Sequence, residues 1–428
     1  MSMKISIRKN KDSIMVISLF MWAIAAVFYG LDYLQHTAPS VLIEPISNSL
    51  GINYIDIATI MSIYFPIYAL SQIPAGYLID KYGVKQALGW SCLTVSVGLF
   101  CMLVPTVSAI VIGRVLIAIG SAFAFVGTLK VISIWFPVKH FSFFVGITQS
   151  IGVLGGLTGQ VFINHLIELH GWQVALFNIS LFGVLWSIVI FFLLKNKPVA
   201  GTIAHLATSA TQQSHKKNGS FLNILRDKNI WLLAIYAAIM VGTVMNTFAE
   251  LYDVVFLKKS MHLGSQQATY ITMFIFIGVG VGAPLHGLIS KHFSKQSIWM
   301  RWCALMTLIV FLSIPLASIA SFPISMLIII YFLLGFFVSS MLLSFSIARC
   351  CYPIDSHGTI FAVVNTIIGF GGFLFPLIFG KIVKMTMGQI HFKDELLMPL
   401  FLLAIPLLIS LILTFLIKEW TKACGPQV

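Results

Sequence analysis

Long apolar stretches dominate the sequence and limit the chain to a small set of folds. About 20 apolar residues in helical conformation cross the hydrocarbon core of a bilayer. A transmembrane β-barrel would instead show segments of about 10 residues that alternate in polarity. The sequence therefore predicts an all-α membrane protein with twelve transmembrane helices, at 13–35, 56–78, 84–104, 107–134, 142–164, 173–194, 229–249, 267–289, 298–319, 323–345, 358–380 and 396–417.

The composition supports this prediction and argues against soluble classes of protein. Hydrophobic residues make up 59% of the 428 positions and charged residues only 9%, where a soluble domain has roughly 25% charged residues. The sequence contains no GxSxG, HExxH or phosphate-loop motif, which disfavours an enzyme and ATP-driven transport. We therefore expect no catalytic residue, no cofactor and no metal site.

The basic residues predict which side of the membrane each loop faces. With the N-terminus inside, the inner loops hold 19 Lys and Arg residues and the outer loops hold 5. Cytoplasmic loops are the ones enriched in Lys and Arg, so we expect both termini in the cytoplasm. The net charge of +13 is then a sign of topology. It does not indicate nucleic-acid binding, which would need a basic face on a soluble domain.

A polar segment and a repeat predict two halves. Residues 195–228 form the one long polar stretch. We expect an N-terminal six-helix bundle at 1–194, a cytoplasmic linker at 195–228 and a C-terminal six-helix bundle at 229–428. The segment HFSFFVGITQSIGVLGG, which starts at His140, is similar to HGTIFAVVNTIIGFGG, which starts at His357. Two halves related by a pseudo-two-fold axis are a common plan of secondary transporters.

The segment GYLIDKYGVK at 76–85 is the strongest local motif. A glycine at its start allows close helix approach, and a second glycine permits a tight turn. An acid at the membrane edge can pair with a basic residue or cap a helix N-terminus. We therefore predict a conformational latch, with an ordinary positively charged loop as the alternative. Its residues are Gly76, Asp80, Lys81, Gly83 and Lys85, and Lys291 occupies the position of Asp80 in the second half.

Two cations, Arg114 and Lys130, lie well inside predicted spans. A charge within the bilayer is costly unless it faces water or a partner, which favours a position in the substrate cavity. The alternatives are an Arg114 bonded to the backbone and a Lys130 that extends to the membrane surface. Sixteen helical residues cover about 24 Å, so we expect the two side chains to serve different parts of the pathway.

The segment FYGLDYLQHTAPS at 28–40 is the best candidate for proton coupling. Asp32 and His36 lie four residues apart and share a helix face, and imidazole is the side chain that titrates nearest neutral pH. Asp32 is the only acid in the predicted spans that is not at a span edge. The alternative is that this part of the helix has reached the lipid headgroups. We place Glu250 in the coupling set as well.

Further polar residues predict the lining of a central cavity. Tyr64, Tyr68 and Gln72 in the second span recur every four residues, and Gln149 and Asn365 fall one step apart in the aligned repeat. Ordinary aromatic packing, with the hydroxyls satisfied by neighbours, is the alternative. Besides Arg114 and Lys130, the predicted cavity set is Tyr29, Tyr33, Tyr64, Tyr68, Gln72, Gln149, Asn246 and Asn365.

These motifs resemble those of the major facilitator superfamily. GYLIDKYGVK fits the signature G-x-L-x-D-[RK]-x-G-x-[RK], and Arg114 with Gly120 partly fits R-x-x-x-G-x-G, in which Ala118 replaces the first glycine. More narrowly, LDYLQHTAPSV, YFPIYALSQIPAGYLID and GSAFAFVGTLKVISIWFP resemble the phagosomal amino-acid and nucleoside transporters of intracellular Gammaproteobacteria. That branch is related to lysosomal dipeptide transporters. The resemblance implies an acid at Asp32 and an arginine at position 36, from which His36 departs.

The resemblance implies a secondary transporter in the inner membrane of a bacterium. We expect a monomer that moves an amino acid, short peptide or nucleoside by alternating access, in symport with protons. The alternative is proton-driven export of a siderophore or another small organic solute. A membrane sensor would need a soluble signalling domain, and no segment is long enough for one.

Overall fold

A computed structural model of the protein describes residues 2–197, 219–320, 322–386 and 397–418, with side chains from residue 14 onwards. Throughout these ranges the secondary structure is helical, with turns and short connections between the helices. Twelve segments are long and apolar enough to cross a membrane. The prediction of a twelve-span, all-α membrane protein is therefore confirmed. Residues 198–218 of the predicted linker lie outside the described residues, and Phe221–Arg226 forms a short helix.

The first of two compact units comprises Met1–Phe141, Ile151–Lys216 and Pro353–Ala362. Most of the first nine helices belong to it. They are α1 (Ser2–Thr37), α2 (Pro39–Leu50), α3 (Tyr54–Ser62), α4 (Tyr64–Tyr82), α5 (Val84–Met102), α6 (Val107–Ser121), α7 (Ala124–Trp135), α8 (Val138–His170) and α9 (Trp172–Leu193).

The second unit comprises Ser142–Ser150, Lys217–Tyr352 and Val363–Val428. Its helices are α10 (Phe221–Arg226), α11 (Lys228–Met240), a π-helix (Val241–Tyr252), α12 (Asp253–Ser260), α13 (Ser265–Ile289), α14 (Gln296–Ile319), α15 (Ile324–Val338), α16 (Leu343–Cys350), α17 (His357–Thr386) and α18 (Leu397–Leu416). Unit 1 thus includes the first residues of α17, and unit 2 includes residues 142–150 of α8, whose other residues belong to unit 1.

Span 2 is two helices, and Pro66 explains why. The sequence predicts a span at 56–78 in which Pro66 and Pro74 permit bends, and the structure has a break there: α3 ends at Ser62 and α4 begins at Tyr64. Proline has no N–H to donate to the carbonyl four residues earlier, and its ring crowds that carbonyl. The chain therefore tightens between the helices, where the Ile63 N–H donates to the Ile60 carbonyl at 3.2 Å.

Three more spans are interrupted near their middle. Span 4 changes from α6 to α7 after Ser121, span 7 contains the π-helix, and span 10 contains a 3₁₀ turn at Ser339–Leu342. Such interruptions are frequent at functional sites, and in transporters they mark the substrate region.

Span 7 is also longer than the sequence predicts. It runs from Lys228 to Ser260 and does not end at 249. Glu250 and Asp253 therefore lie inside a span, and the inference that Asp32 is the only interior acid was wrong.

Close helix packing in unit 2 depends on glycines. On α13, an ideal Cβ built at Gly278 would lie 2.8 Å from the Phe336 backbone nitrogen and 3.1 Å from the Gly335 Cα of α15. Two residues away, a Cβ at Gly280 would meet no atom within 4 Å. Helices in membranes associate through such small residues, so Gly278 holds α13 against α15.

We expect Gly278→Ala to lower the unfolding temperature of the purified protein, because the methyl group forces the two helices apart. Overpacking of this kind costs about 1–3 kcal/mol. The matched control is Gly280→Ala, which adds the same methyl group to the same helix in open space. Thermal unfolding followed by tryptophan fluorescence measures both. Equal unfolding temperatures for the two variants would show that the α13–α15 contact tolerates the added volume.

Candidate transport site

Five predicted site residues form a chain of stacked and edge-on rings in unit 1. Along α1, the ring centroids of Tyr29 and Tyr33 are 5.6 Å apart, and those of Tyr33 and His36 are 6.0 Å apart. His36 meets Tyr64 at 5.3 Å, and Tyr64 stacks on Tyr68 of α4 at 5.4 Å. The break between α3 and α4 places Tyr64 at the start of a helix, beside span 1. We refer to these five residues as the aromatic cluster.

Asp32 lies beside the aromatic cluster, and one of its carboxyl oxygens has no partner among the described residues. Its side chain is buried, and Oδ1 makes no hydrogen bond to any described residue. The hydroxyl of Ser121, at the end of α6, faces both Asp32 and Tyr64. It does not reach hydrogen-bond geometry with either. A buried polar atom without a partner is expensive, so Asp32 is poised to take up a proton, a ligand or water.

Asp32 and His36 are not bonded to each other in the described part of the chain. The His36 ring packs against Tyr33, Tyr64 and Phe65. The predicted pair thus shares a helix face, but the two side chains have different surroundings. His36 belongs to the aromatic cluster, and Asp32 faces Ser121.

Arg114 is held by the break in span 2. Its Nε and Nη2 donate to the Met61 carbonyl at 3.1 and 2.9 Å. Met61 is in the last turn of α3, where carbonyls lose their helical partners. The guanidinium carbon lies 4.9 Å from the Tyr64 ring centroid, a cation–π geometry. Arg114 is therefore a fixed cation at the aromatic cluster, with only 3% of its surface exposed.

The sequence analysis missed Gln35 and Ser121. Both are buried, and neither polar atom of the Gln35 amide nor the Ser121 hydroxyl has a hydrogen-bond partner among the described residues. Gln35 follows Asp32 by three residues on α1, so the two lie on neighbouring parts of one face. The sequence feature that could have identified Gln35 is an amide side chain three residues after Asp32 in an otherwise apolar helix.

In unit 2, the π-helix carries a second polar pair. The Asn246 Nδ2 donates to the Glu250 Oε2 at 3.0 Å, and the Glu250 side chain is exposed. Gly372 of α17 packs closely on this pair, because a Cβ there would lie 2.7 Å from the Asn246 Oδ1. Glu250 is thus an exposed acid within span 7.

The other predicted cavity residues occupy three different helices. Gln72 is buried on α4, one turn beyond Tyr68 in unit 1. Gln149 is buried on α8, and Asn365 is half-buried on α17, both within unit 2. They remain predictions as cavity-lining residues.

Asp253 is an acid that the sequence analysis did not single out. It begins α12, is fully buried, accepts a hydrogen bond from the Tyr331 hydroxyl at 2.9 Å and is hydrogen-bonded to the Thr272 hydroxyl. The predicted end of span 7 at 249 put it in a loop. Its position three residues after Glu250 on a continuing helix was the available signal.

The predicted latch residue Asp80 makes a dense set of bonds within unit 1. Its carboxylate accepts from the backbone N–H groups of Gly358 and Thr359 at 2.9 and 2.7 Å and from the Thr359 hydroxyl at 2.8 Å. These N–H groups belong to the first turn of α17, which has no helical acceptor for them. Asp80 therefore caps α17 with a full negative charge at the positive end of its dipole.

Lys130 forms an ion pair with the predicted latch residue Asp80. Its Nζ lies 2.6 Å from the Asp80 Oδ1, and the two side chains are only 7% and 10% exposed. The same ammonium donates to the Ile354 carbonyl, just before α17. The structure thus places Lys130 with Asp80, while the other predicted cavity cation, Arg114, lies at the aromatic cluster.

The other predicted latch residues are Gly76, Lys81, Gly83 and Lys85. A Cβ at Gly76 would lie 2.6 Å from the Gly358 carbonyl oxygen, and Gly83 has φ of +86° at the end of α4. Lys81 is exposed over the rings of two tyrosines. The backbone N–H of Lys85 is capped by the Asn196 side chain at 2.8 Å.

Comparisons with known proteins agree with this architecture. The chain is 26% identical over 266 residues to a probable anion transporter of Arabidopsis thaliana, a match that covers 58% of this chain and 61% of that protein. It is 22% identical over 382 residues to a probable sulfoacetate transporter of Cupriavidus necator, covering 85% and 86%. The match thus spans less than two thirds of the plant relative.

The fold has solved counterparts. A proton:xylose symporter bound to 6-bromo-6-deoxy-D-glucose superimposes with a TM-score of 0.73 at 14% identity, over 96% of this chain and 97% of the symporter. The sequence model of the Major Facilitator Superfamily matches residues 13–376. Since the match covers most of the twelve spans, the chain belongs to the Major Facilitator Superfamily of secondary transporters.

Proposed function

We propose that this secondary transporter moves a small organic anion with a carboxylate or sulfonate group. The observation that carries the proposal is Arg114, a fixed guanidinium at the aromatic cluster. Its Nη1 makes no hydrogen bond within the described part of the chain, and guanidinium groups are well suited to carboxylates and related anions. The two relatives described above are named for anion and sulfoacetate transport.

This substrate class differs from the sequence-based expectation. An amino acid, short peptide or nucleoside was predicted from a resemblance in three segments, and neither relative is named for such a substrate. Siderophore export, the earlier alternative, likewise has no support in these names. The geometry favours anions because Arg114 keeps a buried positive charge beside the aromatic cluster, and protonation of Asp32 would remove the negative charge there.

We assign proton coupling to Asp32. It is buried, its Oδ1 has no hydrogen-bond partner in the described part of the chain, and it lies on the same helix face as the α1 residues of the aromatic cluster. Uptake of a proton by Asp32 would remove a negative charge next to the anion site, so proton binding and anion binding would favour each other. Asp32 can therefore couple the proton gradient to the movement of the anion in the same direction, which is symport.

Alternating access in this proposal uses the Asp80–Lys130 latch. The carboxylate can cap α17 only while α4 and the first turn of α17 stay in contact. Separation of these helices would break one ion pair and the cap together. The latch therefore stabilises one conformer of the transport cycle and must open in another.

We further propose an inner-membrane location in a bacterium, with both termini in the cytoplasm. The support is the 19-to-5 distribution of Lys and Arg between the two sets of loops. A cysteine introduced at position 216 should react with a membrane-impermeant thiol reagent only after cells are opened. Reaction in intact cells would reverse the orientation.

The substrate class is tested by thermal unfolding of the purified protein with added solutes. Sulfoacetate and sugar acids should raise the unfolding temperature, since a ligand stabilises by about 2.7 kcal/mol at 100 times its Kd. Amino acids, dipeptides and nucleosides form the comparison arms. The anion response should disappear in Arg114→Gln. A shift produced only by a comparison solute would refute the anion assignment.

Asp32→Asn should abolish accumulation of substrate driven by a pH gradient while preserving exchange down a substrate gradient. The amide keeps the size of the side chain but cannot exchange a proton. Uptake into proteoliposomes with and without an imposed gradient measures both activities. Asp56→Asn, an exposed acid in the first turn of α3, is the matched control. Gradient-driven accumulation by Asp32→Asn would place the coupling site elsewhere, with Glu250 as the next residue to test.

Asp80→Asn should destabilise the protein and slow transport. It leaves the Lys130 ammonium buried without a counter-charge, and breaking one side of a buried pair costs roughly 3–5 kcal/mol. The double variant Asp80→Asn with Lys130→Gln should recover part of the unfolding temperature. The control is Lys81→Gln, which removes an exposed charge from the same motif. If the single and double variants unfold at the same temperature, the two residues are not energetically coupled.

A further inference from the structure

Asp253 is a buried acid that the proposed transport site does not use. It lies in the second unit, at the junction of the π-helix and α12. None of its surface is exposed. Two residues from other helices hold its carboxyl group, Thr272 of α13 and Tyr331 of α15. Spans 7, 8 and 10 therefore meet at this one side chain.

The hydrogens available around Asp253 indicate its protonation state. The Tyr331 hydroxyl donates to the Asp253 Oδ1. The Thr272 hydroxyl is bonded to the Asp253 Oδ2 and also lies 3.0 Å from the Ala268 carbonyl oxygen. A hydroxyl has one hydrogen, so it cannot donate to both oxygens.

A proton on Oδ2 resolves this conflict. Asp253 then donates to the Thr272 oxygen, Thr272 donates to the Ala268 carbonyl, and Tyr331 still donates to Oδ1. In that arrangement the Asp253 carboxyl group, the two hydroxyl groups and the Ala268 carbonyl each have a hydrogen-bond partner. With Asp253 ionised, Oδ2 would take the only hydrogen of the Thr272 hydroxyl, and the Ala268 carbonyl would keep only its helical bond from the Thr272 backbone N–H.

The surrounding charges favour the same state. In the described residues no cation lies within ion-pair distance of Asp253. The titratable group that contacts it is Tyr331, while α13 presents the neutral Thr272. Glu250, on the π-helix, and Lys258 and Lys259, on α12 itself, are exposed. A buried carboxylate without a cation is strongly disfavoured.

We infer that Asp253 is a proton-binding site of the second unit, protonated in this conformation. Its proton joins span 7 to span 8 through the Thr272 hydroxyl, while the Tyr331 hydroxyl joins span 10 to the other carboxyl oxygen. Loss of that proton would place an unpaired charge among three packed helices, so it requires α12 to separate from α13 and α15. The use of this proton in a transport cycle rests on the proposed function, whereas the protonation itself does not.

Infrared spectroscopy of the full-length protein in lipid at neutral pH tests this inference. A protonated carboxyl group has a carbonyl stretch that is separate from carboxylate bands and shifts in D₂O. We expect Asp253→Asn to reduce the area of the protonated-carboxyl band in this region of the spectrum by the contribution of one carboxyl group. The control, Asp56→Asn, changes an exposed acid and should leave the region unchanged. No difference between wild type and Asp253→Asn would overturn the inference.

A second variant keeps the test independent of how Asp253→Asn folds. Tyr331→Phe removes the hydrogen bond to Oδ1 and should move the carboxyl band to higher frequency without loss of area. An unchanged band would contradict the assignment to Asp253.

Unfolding temperatures add a readout that does not depend on transport. An amide replaces a neutral acid well, so Asp253→Asn should unfold near the wild-type temperature and Asp253→Ala well below it. Equal losses in both variants would indicate an ionised Asp253 and refute the proposal. Failure of anion transport would leave all these spectra unaffected, so the two hypotheses are tested separately.

Discussion

The backbone of a membrane-spanning chain must satisfy its hydrogen bonds internally, and the rest of this structure depends on that requirement. Wherever a helix breaks or begins, carbonyl or N–H groups lose their helical partners. Here charged side chains supply the missing partners. Arg114 donates to the Met61 carbonyl at the break in span 2, Lys130 donates to the Ile354 carbonyl, and Asp80 accepts from the first turn of α17. The charges that sequence patterns link to transport are therefore also structural.

This double role determines how the latch can work. Asp80 and Lys130 are almost completely buried, and a buried ion pair that opens must be rehydrated. Separation of α4 from the first turn of α17 would expose two charges and the uncapped N–H groups at once. Such a contact favours either complete closure or complete opening, since a half-open state would leave charges in a dry environment. Discrete alternatives of this kind are what alternating access requires.

The sequence predicted those features that depend on residue type and spacing. Twelve spans follow from apolar length alone, and the motif GYLIDKYGVK singled out Asp80 as an acid that caps a helix or pairs with a basic residue, as its contacts with α17 and Lys130 show. Features that depend on distant partners could not be predicted. A hydropathy pattern ends span 7 at 249, because it contains no information about the hydrogen bonds that Tyr331 and Thr272 make with the Asp253 carboxyl group. The pairing of Lys130 with Asp80, fifty residues away, was hidden for the same reason.

The two buried acids differ in what their protons can respond to. Asp32 has no hydrogen-bond partner for Oδ1, so its occupancy can follow small changes in the aromatic cluster, such as the arrival of an anion or water. Asp253 is bonded on both oxygens by residues from two other helices, so its occupancy can change only if those helices move. One acid can therefore report what is bound, and the other which conformation the second unit has adopted. A transporter that couples binding to conformation needs both kinds of response, and in the proposed cycle Asp32 would supply the first and Asp253 the second.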